Sequence, residues 1–328
     1  MATSLVPLGC QRKRQHPYTD LPPDDFDGRA KTMSPDAVTT VRDAVSRDAT
    51  PPTVSVIIPA LNEARNLPHV ARAMPVDVDE IVVVDGGSKD DTVAVARKLW
   101  PDAVHIKQTR RGKGNALACG FAAASGDIIV AIDADGSTDP AEIPRFVAAL
   151  TEGADFAKGS RFIAGGGSHD ITRLRRAGNW GLNALVNVLF AASYTDLCYG
   201  YNAFWRYCLD VIDLPDTETL DPQWGDGFEI ETMVNVRAVA RGLTIAEVHS
   251  LEANRIHGES NLNAVRDGLR VLRTIVSEFH SHARVKSPRG SHDEGNVVPF
   301  GTFLSRRLRR SDDRSPATSK SFWKERAL

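Results

Sequence analysis

Two carboxylates, Asp133 and Asp135, stand at the end of an apolar run, separated by a single residue. They belong to the stretch AIDADGSTDP, and the residues before them read DIIVAI. Such a run predicts a buried strand, so the acids follow the point where the strand leaves the core. Carboxylates that meet at one place raise each other's pKa. A divalent cation removes that repulsion, and oxygen ligands favour Mg²⁺ or Mn²⁺ over zinc.

A diphosphate is the expected partner of this metal site. Mg²⁺ is usually held by one or two carboxylates together with substrate phosphates, so the motif predicts a nucleotide-linked ligand. The alternative is a simple turn, in which Asp135 serves the backbone of Gly136 and Ser137. A second acid, Asp85, follows another predicted strand, EIVVV. Two acids at two strand ends favour the metal over the turn.

Strands and helices alternate through residues 53–285, the predicted catalytic domain. Strands are predicted at 53–59, 80–84, 103–106 and 127–132, and helices at 62–74, from Ser88 onward, and at 114–124. Ser88 with Asp91 three residues later is a variant of the capping box. This alternation predicts an α/β fold with a mostly parallel central sheet and helices on both faces. In such sheets ligands bind beyond the carboxyl ends of the strands, where the acids fall.

A dinucleotide-binding oxidoreductase is the natural competitor for such a sheet. Its phosphate loop needs G-x-G-x-x-G directly after the first strand. Here residues 59–66 read PALNEARN and contain no glycine. The sequence therefore excludes that class.

Composition is that of a soluble globular protein. The chain has 328 residues, 42% hydrophobic and 25% charged, with a net charge of −2, so global charge does not indicate nucleic acid as a partner. Four cysteines without a CxxC pair indicate reduced thiols rather than a zinc site or disulfides.

The N-terminus shows no signal peptide. The stretch LNALVNVLFAAS, residues 182–193, is shorter than the roughly 20 residues of a membrane span and predicts a core or interfacial helix. We expect a cytoplasmic protein.

Both ends of the chain are predicted to be disordered. Residues 1–52 are rich in Pro, Asp, Arg and Thr and lack a hydrophobic period. Residues 286–328 form a predicted flexible tail with ten Lys or Arg against five Asp or Glu. This tail is either solvated or attached to an anionic membrane surface. The mixed apolar and basic stretch PFGTFLSRRLRR favours peripheral attachment at the inner face of the cell membrane.

Five segments, among them the one that carries Asp133 and Asp135, occur in a characteristic order. VSVIIPALNE, EIVVVDGGSKDDT, GKGNALACGF, GDIIVAIDADGSTDP and KGSRF together resemble family 2 glycosyltransferases of the GT-A fold. The later YTDLCYGYNAFWR and RIHGESNLN resemble the dolichol- or polyprenyl-phosphate mannosyltransferase branch, here without transmembrane segments. The resemblance covers about residues 53–275. It implies an inverting, metal-dependent hexosyltransferase.

The resemblance also implies a set of donor-binding residues. Its first group follows the first strand and holds the nucleoside: Pro59, Leu61 and Glu63. Asp85 matches the acid that contacts base or ribose, and Arg255 matches a late arginine that closes over the donor. Asp133 and Asp135 match the D-x-D metal motif. Lys113, in the turn before the helix at 114–124, is a further candidate for contact with the donor phosphates.

Catalytic and acceptor residues are expected later in the chain. Arg161 matches the arginine that faces the phosphates or the acceptor, and with Arg255 it would add fixed positive charge beside the leaving diphosphate. Asp135 would act with Asp133 through the metal they hold, which serves as a Lewis acid on that group. Glu231 matches an acid common to the lipid-phosphate branch. Asp226 is the predicted base if the acceptor is a hydroxyl. Three basic residues are either an acceptor-phosphate clamp or a solvated helix face: Arg173, Arg175 and Arg176.

Some positions depart from the family pattern and leave the acceptor open. Asn261 stands where the lipid-phosphate branch has lysine, and Asn202 where it has arginine. After the second strand, Gly86 replaces an acid. The leading hypothesis is transfer of a hexose from a GDP- or UDP-linked donor to a polyprenyl phosphate. The alternatives are transfer to a hydroxyl of a polysaccharide or small molecule, and a non-catalytic protein that binds sugar nucleotides.

Overall fold

The structure, a computed structural model, describes residues 51–258 and 264–286. Within them it confirms the predicted α/β fold with a mostly parallel sheet. Nearly all of the predicted N-terminal extension and C-terminal tail lies outside the described residues, as does Asn261.

Nine strands are present in the described residues. They are β1 (Val54–Ala60), β2 (Glu80–Asp85), β3 (Val104–Lys107), β4 (Ile128–Ala131), β5 (Phe156–Ser160), β6 (Gly167–Ser168), β7 (Asn202–Trp205), β8 (Ile245–His249) and β9 (Leu251–Glu252). The described helices are α1 (Leu67–Ala73), α2 (Thr92–Leu99), α3 (Lys113–Ala123), α4 (Ile143–Thr151), α5 (Arg173–Phe190), α6 (Cys208–Ile212), α7 (Glu229–Ala240) and α8 (Ala264–Lys286). A short 3₁₀ helix, Pro140–Glu142, precedes α4.

Seven strands form the central sheet in the order β3-β2-β1-β4-β7-β5-β8. The first four of these are parallel to one another, and β7 runs antiparallel between β4 and β5. β4 is buried along its whole length, as expected for a central strand with covered faces. The carboxyl ends of β2, β1 and β4 therefore lie side by side.

Helix α3 packs closely on β1 and β2. A Cβ added at Gly120 would lie 2.3 Å from a methyl of Ile57 and 3.0 Å from one of Val84, so only glycine permits this approach. Most of the helix is buried as a result. The packing brings the N-terminus of α3, which carries Lys113, to the same edge of the sheet as the ends of β1 and β4.

The predicted capping box at Ser88 is wrong. Helix α2 begins at Thr92, with Asp91 as the preceding residue. The Ser88 hydroxyl instead accepts a hydrogen bond from the backbone N–H of Asn62, and the Asn62 side chain accepts one from the N–H of Lys89. These contacts tie the loops after β1 and β2 together. Helix α1 begins at Leu67 rather than near Asn62, whose φ of 58° lies outside the helical region.

A second, smaller core lies among α5, α7 and α8. Its buried members are Val186, Tyr194, Leu197, Val236, Val271 and Ile275. The predicted apolar helix at 182–193 is the second half of α5, which starts earlier, at Arg173. Among the helices of the described residues, none combines the length and the hydropathy that a membrane crossing requires.

Candidate active site

Arg255 joins two of the predicted carboxylates at the edge of the sheet. Its Nη2 lies 2.7 Å from Glu63 Oε1, and its Nε lies 3.3 Å from Asp135 Oδ2. The other oxygen of Glu63 accepts a hydrogen bond of 2.5 Å from Asn66. Burial raises the pKa of Glu63, and the contacts with Asn66 and Arg255 only partly offset that rise. The end of β1 is thus connected to the loop after β4.

Lys113 joins a second pair of carboxylates. Its Nζ lies 2.6 Å from Asp133 Oδ1 and 2.6 Å from Glu231 Oε1. Burial lowers the pKa of Lys113, but the two acids raise it more, so its pKa lies above the usual value. Burial raises the pKa of Asp133, and Asp135 and Glu231 add to this rise while Lys113 opposes it. The ammonium is therefore firmly protonated between the two acids.

Glycines allow the elements to approach closely enough for this contact. Gly112 has a φ of 125°, and a Cβ on Gly114 would lie 1.8 Å from the carbonyl oxygen of Gly225. The N–H of Gly114 donates to the carbonyl of Asp226 at 2.8 Å, which caps α3. A Cβ on Gly200 would lie 2.6 Å from a carboxylate oxygen of Glu231. Any larger residue at these positions would push the loops away from Lys113 or Glu231.

The two aspartates fit a divalent cation. Both are partly exposed and lie within hydrogen-bonding or ion-pairing distance of side-chain cations, Asp133 with Lys113 and Asp135 with Arg255. Within residues 51–258 and 264–286, no group of three or more His, Cys, Asp or Glu side chains is arranged as a complete metal cage. Asp133 and Asp135 are the residues that would supply carboxylate oxygens to the ion. This suits Mg²⁺ or Mn²⁺, whose other ligands are commonly phosphate and water.

The predicted nucleoside-binding residues lie at the ends of β1 and β2. Leu61 is 45% exposed and its Cβ is close to Gly86 in the next loop. Pro59 is partly buried in β1. Asp85 Oδ1 accepts a hydrogen bond of 2.9 Å from the N–H of Ser88. The structure brings these residues to the edge that also holds Glu63.

Arg161, predicted to face the phosphates or the acceptor, is 5% exposed, and carboxylates surround its guanidinium group. Its Nε and Nη2 contact the two oxygens of Asp196 at 2.6 and 2.9 Å, and its Nη1 contacts Glu252 at 2.9 Å. These contacts raise its pKa despite burial. They favour an organising role over direct contact with substrate.

Asp226, predicted as a base, is paired with Arg110. Arg110 Nε lies 3.0 and 2.9 Å from the two carboxylate oxygens, and Nη2 lies 2.8 Å from one of them. The N–H of Gln223 donates to the same carboxylate. Both oxygens are therefore already occupied. Glu231, which shares the Lys113 ammonium with Asp133, is the better placed acid.

The three predicted acceptor arginines lie in the first turn of α5. Arg175 forms an ion pair of 2.7 Å with Asp170. Arg176 lies over the ring of Phe162, 5.7 Å from its centroid, and Arg173 is exposed. These residues form the basic end of a helix, and none of these contacts reaches the carboxylate cluster at Lys113. Their role as an acceptor-phosphate clamp stays a prediction.

Two residues of the site are absent from the sequence-based prediction. Arg110 fixes the loop before α7, since its Nη1 also donates to the carbonyls of Asp216 and Thr219. Asn66 holds Glu63 and donates to the carbonyl of His257 at 3.1 Å. Each has a partner more than 100 positions away in the chain, Asp226 for Arg110 and His257 for Asn66, and no local pattern marks these contacts.

Comparison with known proteins places this geometry in a family. A family model described as "Glycosyl transferase family 2" matches residues 55–211. The polyprenol monophosphomannose synthase of Mycolicibacterium smegmatis is 32% identical over 72% of this chain and 89% of its own length. The undecaprenyl-phosphate mannosyltransferase of Micrococcus luteus is 31% identical over 64% of this chain and 87% of its own.

A solved structure shares the fold. Glucosyl-3-phosphoglycerate synthase from Mycobacterium tuberculosis, crystallised with Mn²⁺, uridine diphosphate and glucosyl-3-phosphoglycerate, superposes with a TM-score of 0.53 at 27% identity. The match covers 70% of this chain and 80% of that one. The same enzyme was also crystallised with Mg²⁺ and uridine diphosphate.

Proposed function

Because the chain belongs to glycosyltransferase family 2, we propose that it is an inverting hexosyltransferase with a polyprenyl phosphate as acceptor. The donor is a GDP- or UDP-linked hexose, and Mg²⁺ or Mn²⁺ is required. The observation that carries this proposal is the cluster of Asp133, Asp135, Lys113 and Arg255 at the carboxyl end of the sheet. Similarity to two polyprenyl-phosphate mannosyltransferases supports the acceptor.

The reaction is a single displacement. An oxygen of the acceptor phosphate attacks the anomeric carbon, the bond from that carbon to the donor diphosphate breaks, and the nucleoside diphosphate leaves. A phosphate monoester has a second pKa of about 6 and is largely a dianion at neutral pH. No base is then needed, because the nucleophile carries no proton to remove.

The side-chain cations stabilise the charge that develops on the leaving group. Lys113 and Arg255 stand beside the two aspartates, so a diphosphate bound there lies within reach of both. Glu231 holds the Lys113 ammonium from the other side. A divalent cation held by Asp133 and Asp135 would act as a Lewis acid on the diphosphate. Cationic groups fixed in advance stabilise the transition state more than mobile ones.

A two-stage experiment tests this proposal. First, a thermal-shift panel of GDP- and UDP-hexoses with Mn²⁺ identifies the donor, since a ligand that binds only the native state raises the melting temperature. Second, the donor is incubated with a polyprenyl phosphate, and the glycolipid and its anomeric configuration are determined. A product of inverted configuration is expected. Binding of a donor without transfer to phosphate, polyprenol or any hydroxyl would support the non-catalytic alternative.

A hydroxyl acceptor is the second candidate. The solved neighbour glucosyl-3-phosphoglycerate synthase was crystallised with phosphoglyceric acid, and it shares the fold at 27% identity. This reaction needs a base near the anomeric carbon. Glu231 is the candidate favoured by its position, in place of Asp226. Transfer to phosphoglyceric acid in preference to polyprenyl phosphate would support this second function.

A further inference from the structure

Lys158 is a buried cation for which the proposed reaction has no use. It lies in β5, within the segment KGSRF, and its side chain is fully buried. Its Nζ donates hydrogen bonds to the carbonyls of Tyr199 and Gly159 at 2.6 and 2.9 Å. Both of these partners are neutral, so the ammonium is held without an opposite charge in direct contact.

A buried ammonium of this kind destabilises the folded protein. Taking the charge out of water costs several kcal/mol unless a close counter-charge offsets it. Methionine would fill a similar volume without that cost. Residues that break a packing rule in this way are commonly found at functional sites. The contacts of Lys158 therefore point to a role in the site.

The segment Tyr199–Tyr201 is held to β5 at both of its ends. Lys158 Nζ binds the carbonyl of Tyr199, and the backbone N–H of Gly159 donates to the carbonyl of Tyr201 at 2.8 Å. A Cβ on Gly159 would lie 2.7 Å from the Tyr201 carbonyl oxygen, so the two chains are in close contact. Two consecutive residues of β5 thus fix the two carbonyls on either side of Gly200. We call Tyr199–Tyr201 the 199–201 segment.

The side chain of Tyr199 is fixed as well. Its ring centroid lies 5.6 Å from Lys158 Nζ and 4.7 Å from the guanidinium carbon of Arg161. Cations are attracted to the face of an aromatic ring. The Tyr199 hydroxyl lies 2.9 Å from Ser250 Oγ. Lys158 therefore holds this end of the segment through both the main chain and the ring.

Gly200 transmits this restraint to Glu231. A Cβ on Gly200 would lie 2.6 Å from Glu231 Oε1 and 3.0 Å from the carboxylate carbon. The same Oε1 accepts the hydrogen bond of 2.6 Å from Lys113. Gly200 therefore packs against the oxygen that holds Lys113. A shift of the 199–201 segment would move Glu231 and, with it, the ammonium beside Asp133.

We propose that Lys158 is a positioning residue for the transfer reaction. It holds the 199–201 segment against Glu231, and Glu231 in turn fixes the Lys113 ammonium where the leaving diphosphate binds. The inference rests on the proposed function, which assigns Lys113 to that diphosphate. Because Lys158 is fully buried, its effect on the reaction must pass through Glu231. Two positions that act through one contact show non-additive effects.

Hydrogen exchange tests the structural step without donor or acceptor. In Lys158→Met the amide of Gly159 should exchange about tenfold faster, because its acceptor on Tyr201 is held less firmly. Tyr207→Phe is the control for a general loss of stability, since it removes a buried hydrogen bond to Asp155, the residue before β5. The increase at Gly159 should be larger in Lys158→Met than in this control. Equal exchange at Gly159 in wild type and Lys158→Met would overturn the proposal.

A double-mutant cycle in kcat tests the link to the reaction. Lys158→Met should lower kcat about tenfold and change the KM for the donor less than about twofold, because a misplaced group loses contacts of the transition state. In the Glu231→Gln background the same substitution should change kcat less than about twofold, since the group that it positions is gone. A tenfold loss in both backgrounds would show that Lys158 acts independently of Glu231, and the proposal would then be wrong.

Gly200→Ala disturbs the same contact from the other side and keeps the test valid if Lys158→Met does not fold. Its Cβ would meet Glu231 Oε1, so kcat should fall about tenfold in the wild-type background and stay constant in Glu231→Gln. Tyr207→Phe should keep the wild-type kcat. A wild-type kcat in Gly200→Ala would contradict the proposal. Absence of transfer by the wild type would count against the proposed function, whereas exchange at Gly159 would still decide whether Lys158 holds the 199–201 segment.

Discussion

Two sets of ion pairs in this protein differ in burial. We call the partly exposed pairs open and the almost fully buried pairs sealed. At the site, the Lys113 and Asp133 side chains are 20% and 31% exposed, and those of Arg255 and Asp135 are 22% and 18% exposed. Behind the site, the Arg161 side chain is 3% exposed and that of Asp196 is fully buried. The Arg110 side chain is also 3% exposed, and that of its partner Asp226 is 12% exposed.

The difference separates groups that can exchange partners from groups that cannot. A partly exposed pair is better screened by water than a buried one, so replacing one partner by a ligand costs less. Removing one member of a buried pair leaves a charge without compensation, which costs several kcal/mol. The open pairs are therefore candidates for binding metal and diphosphate, and the sealed pairs for holding the loops that carry them.

The largest effect is expected from breaking a sealed pair. Arg161→Met should lower the free energy of unfolding by about 3–5 kcal/mol, because Asp196 and Glu252 would remain buried without their partner. For a domain of this size the melting temperature falls roughly 2–4 °C per kcal/mol, so a decrease of about 6–20 °C is expected by calorimetry. Arg173→Met, at an exposed position, is the control. A change within the error of that control would show that the network around Arg161 is dispensable.

Breaking an open pair should reduce activity strongly and change stability little. Asp135→Asn should reduce metal-dependent transfer by about 10²–10³-fold, since it removes a proposed metal ligand and its Lewis-acid contribution. Stability should change by less than about 1 kcal/mol, because the pair with Arg255 is partly exposed. Steady-state kinetics and thermal melts of the variant and of the exposed control Asp102→Asn measure both. Full activity after chelation of divalent metals would contradict the metal requirement.

The sequence predicts the residues of the open pairs much better than those of the sealed pairs. Apolar runs mark β1 and β4, and the rule that ligands bind at the carboxyl ends of parallel strands brings Glu63, Asp133 and Asp135 together. Lys113 and Glu231 meet across 118 positions, and Arg110 meets Asp226 across 116. Such contacts depend on how loops pack, which no local period encodes.

The outward face of α5 shows a second limit of the sequence. Hydrophobic periodicity shows that a helix has an apolar side, and it does not say whether a partner covers that side. The run LNALVNVLFAAS predicted either a core or an interfacial helix. In the structure Val186 is buried while Val188, two positions later, is 56% exposed, so one side of the helix belongs to the core and another side is exposed.

Glu231 and Asp226 give a smaller but sharper contrast. Glu231→Gln should reduce kcat about 10–100-fold, because it removes either the anchor of Lys113 or a base. Asp226→Asn should act mainly on stability, as does the Arg161 variant, because its carboxylate is held by Arg110. Kinetics and melts of both variants distinguish the two roles. A larger loss of kcat for Asp226→Asn than for Glu231→Gln in folded protein would restore Asp226 as the base.

The pH dependence of the transfer rate in wild type and in Glu231→Gln distinguishes a phosphate acceptor from a hydroxyl acceptor. With a phosphate acceptor, the rate should rise through a pKa of about 6 in both wild type and Glu231→Gln, because the acceptor itself loses the proton. With a hydroxyl acceptor, the acidic limb should disappear in Glu231→Gln if Glu231 is the base. Transfer rates measured between pH 5 and 8 decide between these outcomes.

Lys158 is as deeply buried as Arg161. Among the described residues, no carboxylate lies within ion-pairing distance of it. The smallest predicted effect follows from this difference. Its side chain is fully buried, and its Nζ donates to the carbonyls of Tyr199 and Gly159 at 2.6 and 2.9 Å. Burial lowers the pKa of Lys158 from 10.5 to about 8, against the opposing charge of Asp196. Between these two values the unfolded chain binds more protons than the folded one, so stability should rise with pH.

Comparison of wild type with Lys158→Met isolates that rise. From pH 8 to pH 10 the wild type should gain about 1–3 kcal/mol relative to the variant, whereas below about pH 7 the difference between them should stay constant. Melting temperatures at half-unit intervals of pH measure it, with the exposed Lys107→Met as the control for general alkaline effects. Parallel curves for wild type and Lys158→Met over this range would show that the buried ammonium finds compensation beyond its two carbonyl partners.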